Sequence, residues 1–357
     1  MIWIAVFIFL IFLYVAILEF SPVRKLPLKE EKVEEGKRPP ESLKVYKAVC
    51  HIHTQFSFDS LGKPEDIKKA MEKNNIDFAF ITDHNNDDFK YFEDEKMFAG
   101  VEENTENGRI LKLANELPVI SHPNNPKVKH YRWTGEFKEG YLYELLNFKD
   151  VLTVNRKLVY MILVKNILLF PFFKNLTRKW NLLMPLEQWV KVYFEKASHL
   201  KVISGLDLQI KVAYKESTYQ KSFPSYDEGF KWLTNLIITD EKVSNKEQIL
   251  SQLSKGNTLL TANQREFLMW LEDEKPKPIG EKVKAGASLF IFTEEGNTVK
   301  VVKKDNQILA ITTKNSFKIL LLEKGRYHLE CYEYDFKLGN IYFGYRPVCV
   351  SNVVEVV

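Results

Sequence analysis

Four of the seven histidines of this chain lie beside short apolar runs that are typical of buried strands. They are His51, His53, His84 and His122. His51 and His53 are one residue apart, so in an extended chain both imidazoles point to the same side and can bind one metal ion. This pattern predicts a metal centre with imidazole ligands.

Carboxylates that suit divalent cations accompany these histidines along the chain. Asp59 and Glu102 offer oxygen ligands that can bridge two cations, and Asp207 follows a further apolar run at residues 201–203. A single His-x-His pair means little, because paired imidazoles are more often structural or exposed. The ordered set of histidines and carboxylates is what favours a metal site.

Local signals place these side chains at the ends of strands. A turn at Gly62 and a proline at position 64 precede a predicted helix, so strand, helix and strand alternate. The predicted strands lead into His51, Asp83, His122 and Asp207, and comprise residues 45–49, 78–82, 119–120 and 201–203. This order predicts an α/β barrel, in which chemistry takes place at the carboxyl ends of the strands.

These segments resemble the successive motifs of the polymerase and histidinol phosphatase (PHP) family. The segments are His51-Ile52-His53-Thr54, Ser57-Phe58-Asp59, Thr82-Asp83-His84-Asn85, Gly100-Val101-Glu102, Ser121-His122-Pro123 and Gly205-Leu206-Asp207. The resemblance extends from about residue 45 to residue 226, half of the chain. It implies a distorted seven-stranded (β/α) barrel that binds two or three divalent metals (manganese, zinc or iron) and hydrolyses phosphate esters.

The resemblance also implies residue roles. The expected metal ligands are His51, His53, Asp59, His84, Glu102, His122, Asp207 and Gln209. Glu144 and Asn147 lie where relatives often have a Glu and Asn pair, which makes Glu144 a weaker candidate ligand. A metal-bound hydroxide is the expected nucleophile, His122 is a ligand or the acid for the leaving oxygen, and Asp83 is expected to orient His84 or a nearby imidazole. Lys127, Lys129 and Arg132 follow His122 and form either a phosphate-binding loop or a solvated basic loop.

Gln209 departs from the family pattern, which ends its last motif with Asp-x-His. This chain has Asp207-Leu208-Gln209 instead. A neutral amide oxygen is a weaker ligand than imidazole, so one metal is expected to bind less tightly or not at all. The remaining motif residues favour retained hydrolysis over an inactive enzyme.

The expected substrates are phosphate mono- or diesters, as for a nucleotide phosphatase or a 5′ to 3′ exonuclease acting on a nucleic-acid end. Two alternatives stay open: a hydrolase of a non-phosphorus ester, and a membrane-tethered scaffold with a decayed metal site. The net charge of +4 is too small to indicate nucleic-acid binding by itself. Three scattered cysteines exclude a disulfide framework or a thiolate zinc site. Protein partners are not predicted.

The first twenty residues are the clearest anomaly in composition. No charged residue occurs from Ile2 to Leu18, which predicts a single-pass membrane helix over residues 1–20 that anchors the chain in a lipid bilayer. A cleaved signal peptide is the alternative, but it would have a basic start and a small-residue cleavage site. Arg24, Lys25 and Lys29 follow the helix and favour a cytoplasmic body.

Composition divides the rest of the chain into four parts. Residues 21–44 are expected to be a charged, solvated linker, residues 45–253 the barrel, residues 254–285 a connector and residues 286–357 a small all-β sandwich-like domain. Residues 226–253 are expected to be helical. An apolar helical insert is expected near residues 155–185, either packed in the core or resting on a bilayer.

Overall fold

The computed structural model describes residues 2–127, 131–169, 179–214 and 219–357. The helices are α1 (Ile2–Phe20), α2 (Pro64–Asn74), α3 (Phe148–Val154), α4 (Arg156–Leu169), α5 (Leu186–Lys196), α6 (Tyr226–Gly229) and α7 (Lys246–Lys255), with 3₁₀ turns at Asp88–Phe92 and Trp180–Leu183. The strands are β1 (Val23–Lys25), β2 (Glu34–Glu35), β3 (Lys44–Ile52), β4 (Phe78–His84), β5 (Met97–Thr105), β6 (Gly108–Leu113), β7 (Leu117–Ser121), β8 (Leu142–Asn147), β9 (Lys201–Gly205), β10 (Val212–Tyr214), β11 (Tyr219–Lys221), β12 (Leu233–Thr239), β13 (Thr258–Ala262), β14 (Phe267–Glu272), β15 (Pro276–Lys277), β16 (Ser288–Thr293), β17 (Thr298–Lys304), β18 (Gln307–Thr312), β19 (Ser316–Leu320), β20 (Gly325–Glu333), β21 (Phe336–Leu338), β22 (Ile341–Phe343), β23 (Arg346–Ser351) and β24 (Val354–Val356). The fold is therefore mixed α/β.

One large sheet runs through most of the molecule. Its order is β18-β17-β20-β23-β13-β12-β3-β4-β5-β6-β7-β8-β9, and β24 pairs with β20. Neighbours from β3 to β5 and from β7 to β9 are parallel, whereas β6 is antiparallel to both of its partners. Smaller sheets have the orders β15-β14-β16-β19-β2, β1-β22-β21 and β10-β11. The parallel strands bring their carboxyl ends to one edge, as the sequence predicts.

Among the described residues, the large sheet is not shown to close into a barrel. The segment after β9 approaches the end of β3: the N–H groups of Leu206 and Leu208 donate to the carbonyls of Cys50 and His51 at 2.9 Å and 3.1 Å, and the His53 N–H donates to the Leu208 carbonyl at 3.1 Å. One bridge joins Ile52 and Leu208. The Asn235 side chain in β12 accepts from the Ser204 N–H at 2.8 Å and donates to its carbonyl at 3.0 Å. Antiparallel β12 pairs with residues 44–48 of β3, so the strands of the predicted seven-stranded barrel belong to a larger mixed sheet.

The local prediction around α2 is confirmed. Pro64 lies in the first turn with Glu65 and Asp66, where the missing N–H costs nothing and the acids face the positive end of the helix dipole. Ile67 and Met71 are buried against the sheet, and the helix ends at Asn75 with a left-handed φ of 51°.

The helix predicted over residues 226–253 is wrong. β12 occupies Leu233–Thr239 between β3 and β13, and all seven of its residues are buried. A strand that is covered on both faces has a continuous apolar run, which a helical segment also shows. Only α6 and α7, on either side of β12, are helical.

Two sheets face each other in the C-terminal part, where residues 286–357 form strands and no helix, as the predicted all-β character requires. Met269, Leu271 and Ile291 from the five-stranded sheet share a core with Leu329 and Val348 from the large sheet. The sandwich-like part is thus continuous with the α/β part through β13 and β23.

Residues 21–44, which composition predicts to be a solvated linker, are bound to the C-terminal strands. β1 pairs with β22, β2 pairs with β19, and Lys29 forms a bridge with Ile311. The backbone of this segment fills sheet edges, for which its polar side chains give no signal.

Among the described residues, α1 is the helix that is long and apolar enough to cross a membrane. A signal sequence at the N-terminus would have the same length and composition. Most of its side chains are exposed, whereas Leu18 and Glu19 at its end are buried.

Candidate metal centre

Five strand ends converge on one buried cluster of imidazoles and carboxylates. His51 and His53 lie at the end of β3, His84 at the end of β4 and Glu102 in β5. His122 and Asp207 directly follow β7 and β9. The six side chains are almost completely buried. The parallel strands therefore bring together residues that are far apart in the sequence.

Three of these residues have a backbone conformation that is uncommon outside glycine. The φ angles of His51, His122 and Asp207 are 62°, 52° and 45°. Left-handed non-glycine residues are strained and occur preferentially at functional sites. His51 lies at the irregularity of β3 between Val49 and Ile52, whereas His122 and Asp207 directly follow the ends of β7 and β9.

The cluster has the spacing of metal ligands. Three overlapping groups have ligand atoms within 4.8 Å of one another: His51, His53 and Asp207; His51, Glu102 and His122; and His53, His84 and Glu102. The Nε2 atom of His53 lies 3.3 Å from Asp207 Oδ1 and 3.5 Å from Glu102 Oε2. Two ligands of one tetrahedral cation lie about 3.4 Å apart when metal–ligand bonds are about 2.1 Å.

Seven atoms of the cluster are buried and have no hydrogen-bond partner within the described chain. They are His51 Nε2, His53 Nδ1, His53 Nε2, His84 Nδ1, Glu102 Oε2, His122 Nε2 and Asp207 Oδ2. Buried polar atoms are almost always paired, so each such atom requires an explanation. Nitrogen and carboxylate oxygen donors of this kind fit divalent metal ions such as zinc, manganese or iron.

Glu144 contacts the side of His51 that faces away from the cluster. Its Oε1 lies 2.7 Å from His51 Nδ1, and its Oε2 accepts from the Ser121 hydroxyl at 2.9 Å and from the His122 N–H at 3.0 Å. The carboxylate therefore orients His51 so that Nε2 points into the cluster, an arrangement that raises the basicity of a metal-ligating imidazole. Glu144, weighed as a ligand from the sequence, occupies this supporting position.

Asp150 holds His122 in the same way. Its Oδ1 lies 3.0 Å from His122 Nδ1 and accepts from the Asn125 amide. Asn147 caps α3 by accepting from the Asp150 N–H at 3.0 Å, which fixes the start of the helix that carries Asp150. His51 and His122 thus have the same arrangement: a carboxylate contacts Nδ1, and Nε2 has no hydrogen-bond partner in the described chain.

The electrostatic field of the pocket favours positive charge. Burial alone would lower the pKa of His51, but Glu144, Asp207 and Glu102 outweigh it and raise this pKa to about 10. Burial likewise opposes ionisation of Asp207, yet Lys149 and His51 hold its pKa well below the usual range. Ionised carboxylates in a buried pocket need cations, which either protons or metal ions supply.

Other predicted site residues lie next to the cluster. Asp59 Oδ2 lies 3.0 Å from His84 Nε2, so this carboxylate is at the edge of the ligand groups. Both oxygens of Asp83 accept from Thr54, through its N–H and its hydroxyl, each at 2.6 Å. Asp83 therefore fixes the loop after His53, whereas the sequence suggests that it orients an imidazole.

Gln209 contacts a ligand carboxylate. Its Nε2 donates to Asp207 Oδ1 at 3.1 Å, and the side chain is partly exposed. In this orientation the amide nitrogen, which cannot ligate a metal, is the atom directed at the cluster.

The predicted basic loop lies only partly in the described chain. The Lys127 ammonium is 5.6 Å from the centre of the Tyr131 ring, and Lys127 is exposed. Arg132 Nε donates to the Asn125 carbonyl at 2.6 Å, so this guanidinium is engaged with the backbone. Lys129 lies outside the described residues.

Two basic residues that the sequence argument missed reach the cluster. Arg109 Nη1 lies 3.0 Å from Glu102 Oε1, and Lys149 Nζ lies 3.3 Å from Asp207 Oδ2. Both lie over the Tyr131 ring, at 4.3 Å and 6.0 Å from its centre. Lys149 and Asp150 follow the apolar strand β8, so the strand-end pattern could have found them. Arg109 has no comparable signal.

Comparison with known proteins finds a distant structural match. No protein-family model matches the chain, and no curated protein matches it. A match among solved structures is a two-domain protein from Bacteroides vulgatus containing a predicted PHP-like metal-dependent phosphoesterase. It is 12% identical, covers 86% of this chain and 94% of that chain, and has a TM-score of 0.39. At this similarity it assigns neither family nor activity, so the function rests on the cluster itself.

Proposed function

We propose that this chain is a metal-dependent hydrolase of phosphate mono- or diesters. The observation that carries the proposal is the set of seven buried nitrogen and oxygen atoms in the cluster that have no hydrogen-bond partner in the described chain. The three ligand groups overlap at His51, His53 and Glu102, as expected for neighbouring cations that share ligands. The resemblance of the sequence motifs to the PHP family supports the same chemistry.

Divalent cations at this cluster would neutralise the oxygens of a phosphate ester and lower the pKa of water at neutral pH. The protein contributes a rigid, buried set of ligands. Glu144 and Asp150 keep Nε2 of His51 and His122 directed inward. Because His122 Nε2 lies 3.4 Å from both Glu102 and Asp207, we assign His122 as a ligand and not as the acid for the leaving group.

Basic side chains beside the cluster suit a phosphate group. Arg109, Lys149 and Lys127 surround the face of Tyr131, whose ring is 5.8 Å from that of His122. A guanidinium and an ammonium at one edge of a metal pocket can bind phosphate oxygens that the metals leave free. This arrangement supports a phosphate ester over a neutral ester as substrate.

An exposed aromatic ring at the cluster supports a nucleotide-like substrate. The Phe58 side chain is 75% exposed and stacks on His84, with ring centres 4.9 Å apart and an interplanar angle of 21°. Its outer face is free to stack on a nucleobase, which contributes about 1–3 kcal/mol per base in single-strand binding proteins. A nucleotide or a nucleic-acid end is therefore the substrate class proposed.

We also propose that α1 anchors the protein in a membrane as a single pass. Its exposed apolar side chains would be covered by lipid, and Arg24, Lys25 and Lys29 after the helix favour the cytoplasmic side for the body.

The test uses the full chain, purified in detergent and loaded with manganese or zinc. It is assayed on p-nitrophenyl phosphate, bis-p-nitrophenyl phosphate, nucleoside monophosphates and a single-stranded oligonucleotide, with p-nitrophenyl acetate as a neutral ester. Turnover of a phosphate substrate, abolished in His53→Ala, is expected. Bound metal without turnover of any phosphate would contradict the proposal.

The alternative of a membrane-tethered scaffold with a decayed site has a direct readout. Elemental analysis of the same preparation should find two or more metal equivalents per chain for the hydrolase and none for the scaffold.

A further inference from the structure

The helix α4 turns apolar side chains outward and a charged one inward. Tyr160, Leu163, Val164 and Ile167 form one helical face and are 55%, 50%, 49% and 73% exposed. Lys165, in the same stretch, is 1% exposed. A helix at the surface of a water-soluble protein has the opposite arrangement, with lysine outward and isoleucine inward.

The buried lysine joins α4 to α1. Lys165 Nζ lies 2.9 Å from a carboxylate oxygen of Glu19, and Glu19 is 7% exposed. The Tyr14 hydroxyl donates to the Met161 carbonyl at 2.7 Å, so the helices touch at a second level. Pairing Lys165 with Glu19 neutralises both charges inside the two-helix unit, which an apolar environment requires.

The unit is fixed to the body of the protein. Lys179 forms ion pairs with Glu19 and, at 2.9 Å, with Asp335. Asp335 in turn pairs with Arg346 of β23 at 3.0 Å. The end of α1 is thereby connected to the large sheet through charges that are mostly buried. α1, which α4 contacts, also exposes apolar side chains such as Leu13 and Ile17.

The start of α4 carries positive charge where a helix ordinarily favours negative charge. Its first turn holds the exposed residues Arg156 and Lys157 and no acid. Cations at this end oppose the helix dipole, which is unfavourable in water. Phosphate groups of lipids next to the helix would offset this cost, since basic residues near an anionic membrane surface are attracted to it.

We infer that the outward face of α4 lies in the headgroup region of an anionic lipid bilayer, beside the end of α1. With 14 residues, α4 is about 21 Å long and too short to cross a hydrocarbon core of about 30 Å. It does not cross but lies beside the last turns of α1, with Tyr160, Leu163 and Ile167 reaching the acyl boundary. The protein is therefore held at the membrane by two elements, and this inference does not depend on hydrolysis.

The test places a fluorophore on this face in the full chain. Leu163→Cys and Ile167→Cys are labelled with an environment-sensitive dye, and Lys191→Cys on α5 is the control because that side chain is 70% exposed. The native Cys50, Cys331 and Cys349 are buried and do not compete for the label. Each protein is reconstituted into vesicles of phosphatidylcholine and phosphatidylglycerol, with part of the phosphatidylcholine carrying a doxyl group.

The emission of the probes at 163 and 167 should shift to the blue and be quenched several-fold by the doxyl lipid, while the probe at 191 shows neither change. Water-like, unquenched emission at both α4 positions would overturn the inference. A blue shift without quenching would also overturn it, since a second protein copy, and not lipid, would then cover the face. No enzymatic activity enters this measurement.

Discussion

Carboxylates behind the imidazoles define the cluster at the scale of single residues. Glu144 and Asp150 each bind the Nδ1 atom of one histidine, which leaves Nε2 of His51 and His122 directed at Glu102 and Asp207. Without these partners the rings could rotate or change tautomer, and the inward lone pair would be lost. We therefore expect the supporting carboxylates to contribute to metal affinity nearly as much as the ligands do.

The first prediction concerns these supports. Glu144→Gln and Asp150→Asn should each weaken metal binding by about 10–100-fold, because the amide no longer increases the basicity of the ring. The measurement is metal affinity by competition with a coloured chelator. Glu103→Gln is the matched control, since Glu103 follows Glu102 but pairs with Lys112 at the surface. Equal affinity in all three variants would contradict the assigned roles.

The second prediction concerns Gln209, where the chain departs from the motif. Gln209→His replaces an amide that donates to Asp207 with an imidazole of similar reach that can ligate a metal. The variant should retain more metal at limiting concentration, and its activity should depend less steeply on added manganese or zinc. Metal stoichiometry is measured beside the unmodified protein. An unchanged stoichiometry with lower turnover would show that Gln209 acts only by holding Asp207.

At the scale of elements, β9 lies so close to β8 and β3 that the Glu144 carboxylate fits beside His51 only because Gly205 has no side chain. A methyl group on Gly205, at the end of β9, would lie 1.8 Å from Glu144 Oε1 and 3.0 Å from His51 Cβ. Glu144 cannot move away without losing its bonds to Ser121 and His122. The strand register and this glycine together allow the carboxylate to reach the ring.

The third prediction follows from that approach. Gly205→Ala should displace Glu144, reduce metal affinity by at least as much as Glu144→Gln, and lower the unfolding temperature. Gly296→Ala is the matched control, since its added methyl group would meet only Arg265 Nη1 at 4.0 Å. Calorimetric unfolding and chelator competition measure the two effects. Unchanged metal affinity in Gly205→Ala would contradict the packing argument.

At the scale of the whole molecule, one continuous sheet links the metal cluster to the sandwich-like C-terminal part. The order β9 to β3, then β12, β13, β23 and β20, leaves no break in the backbone hydrogen bonding. Asn352, after β23, adds a direct link, since its side chain accepts from the Val202 N–H at 2.7 Å and donates to the Val202 carbonyl at 2.9 Å. Metal binding at the cluster should therefore stabilise the whole protein against unfolding.

The fourth prediction is that metal removal destabilises the entire protein. Buried carboxylates such as Glu102 and Asp207 lose their counter-ions, so chelation should lower the unfolding temperature. Metal at about one hundred times its dissociation constant adds about 2.7 kcal/mol to the free energy of unfolding. His53→Ala and Asp207→Asn, each lacking a proposed ligand, should show a much smaller metal-dependent shift in calorimetry. An undiminished shift in both variants would place the metal elsewhere.

The sequence by itself determined which residues could do chemistry and that they end strands. His-x-His, Asp83-His84 and the later histidine and carboxylates follow apolar runs, and a period of two or a short buried run is a local property of the chain. The α2 helix was predictable for the same reason, from Pro64 and the acids that follow it. These signals lie within a few residues of the groups that they position.

Only the tertiary structure decided which of these groups meet and what surrounds them. Arg109, Lys149 and Glu144 reach the cluster because β6, α3 and β8 lie beside it, which is a matter of strand order and not of local pattern. The apolar run of β12 fits a helix as well as a strand until β3 and β13 are seen to flank it. Strand pairing depends on contacts between residues far apart in the chain, and local sequence carries no information about them.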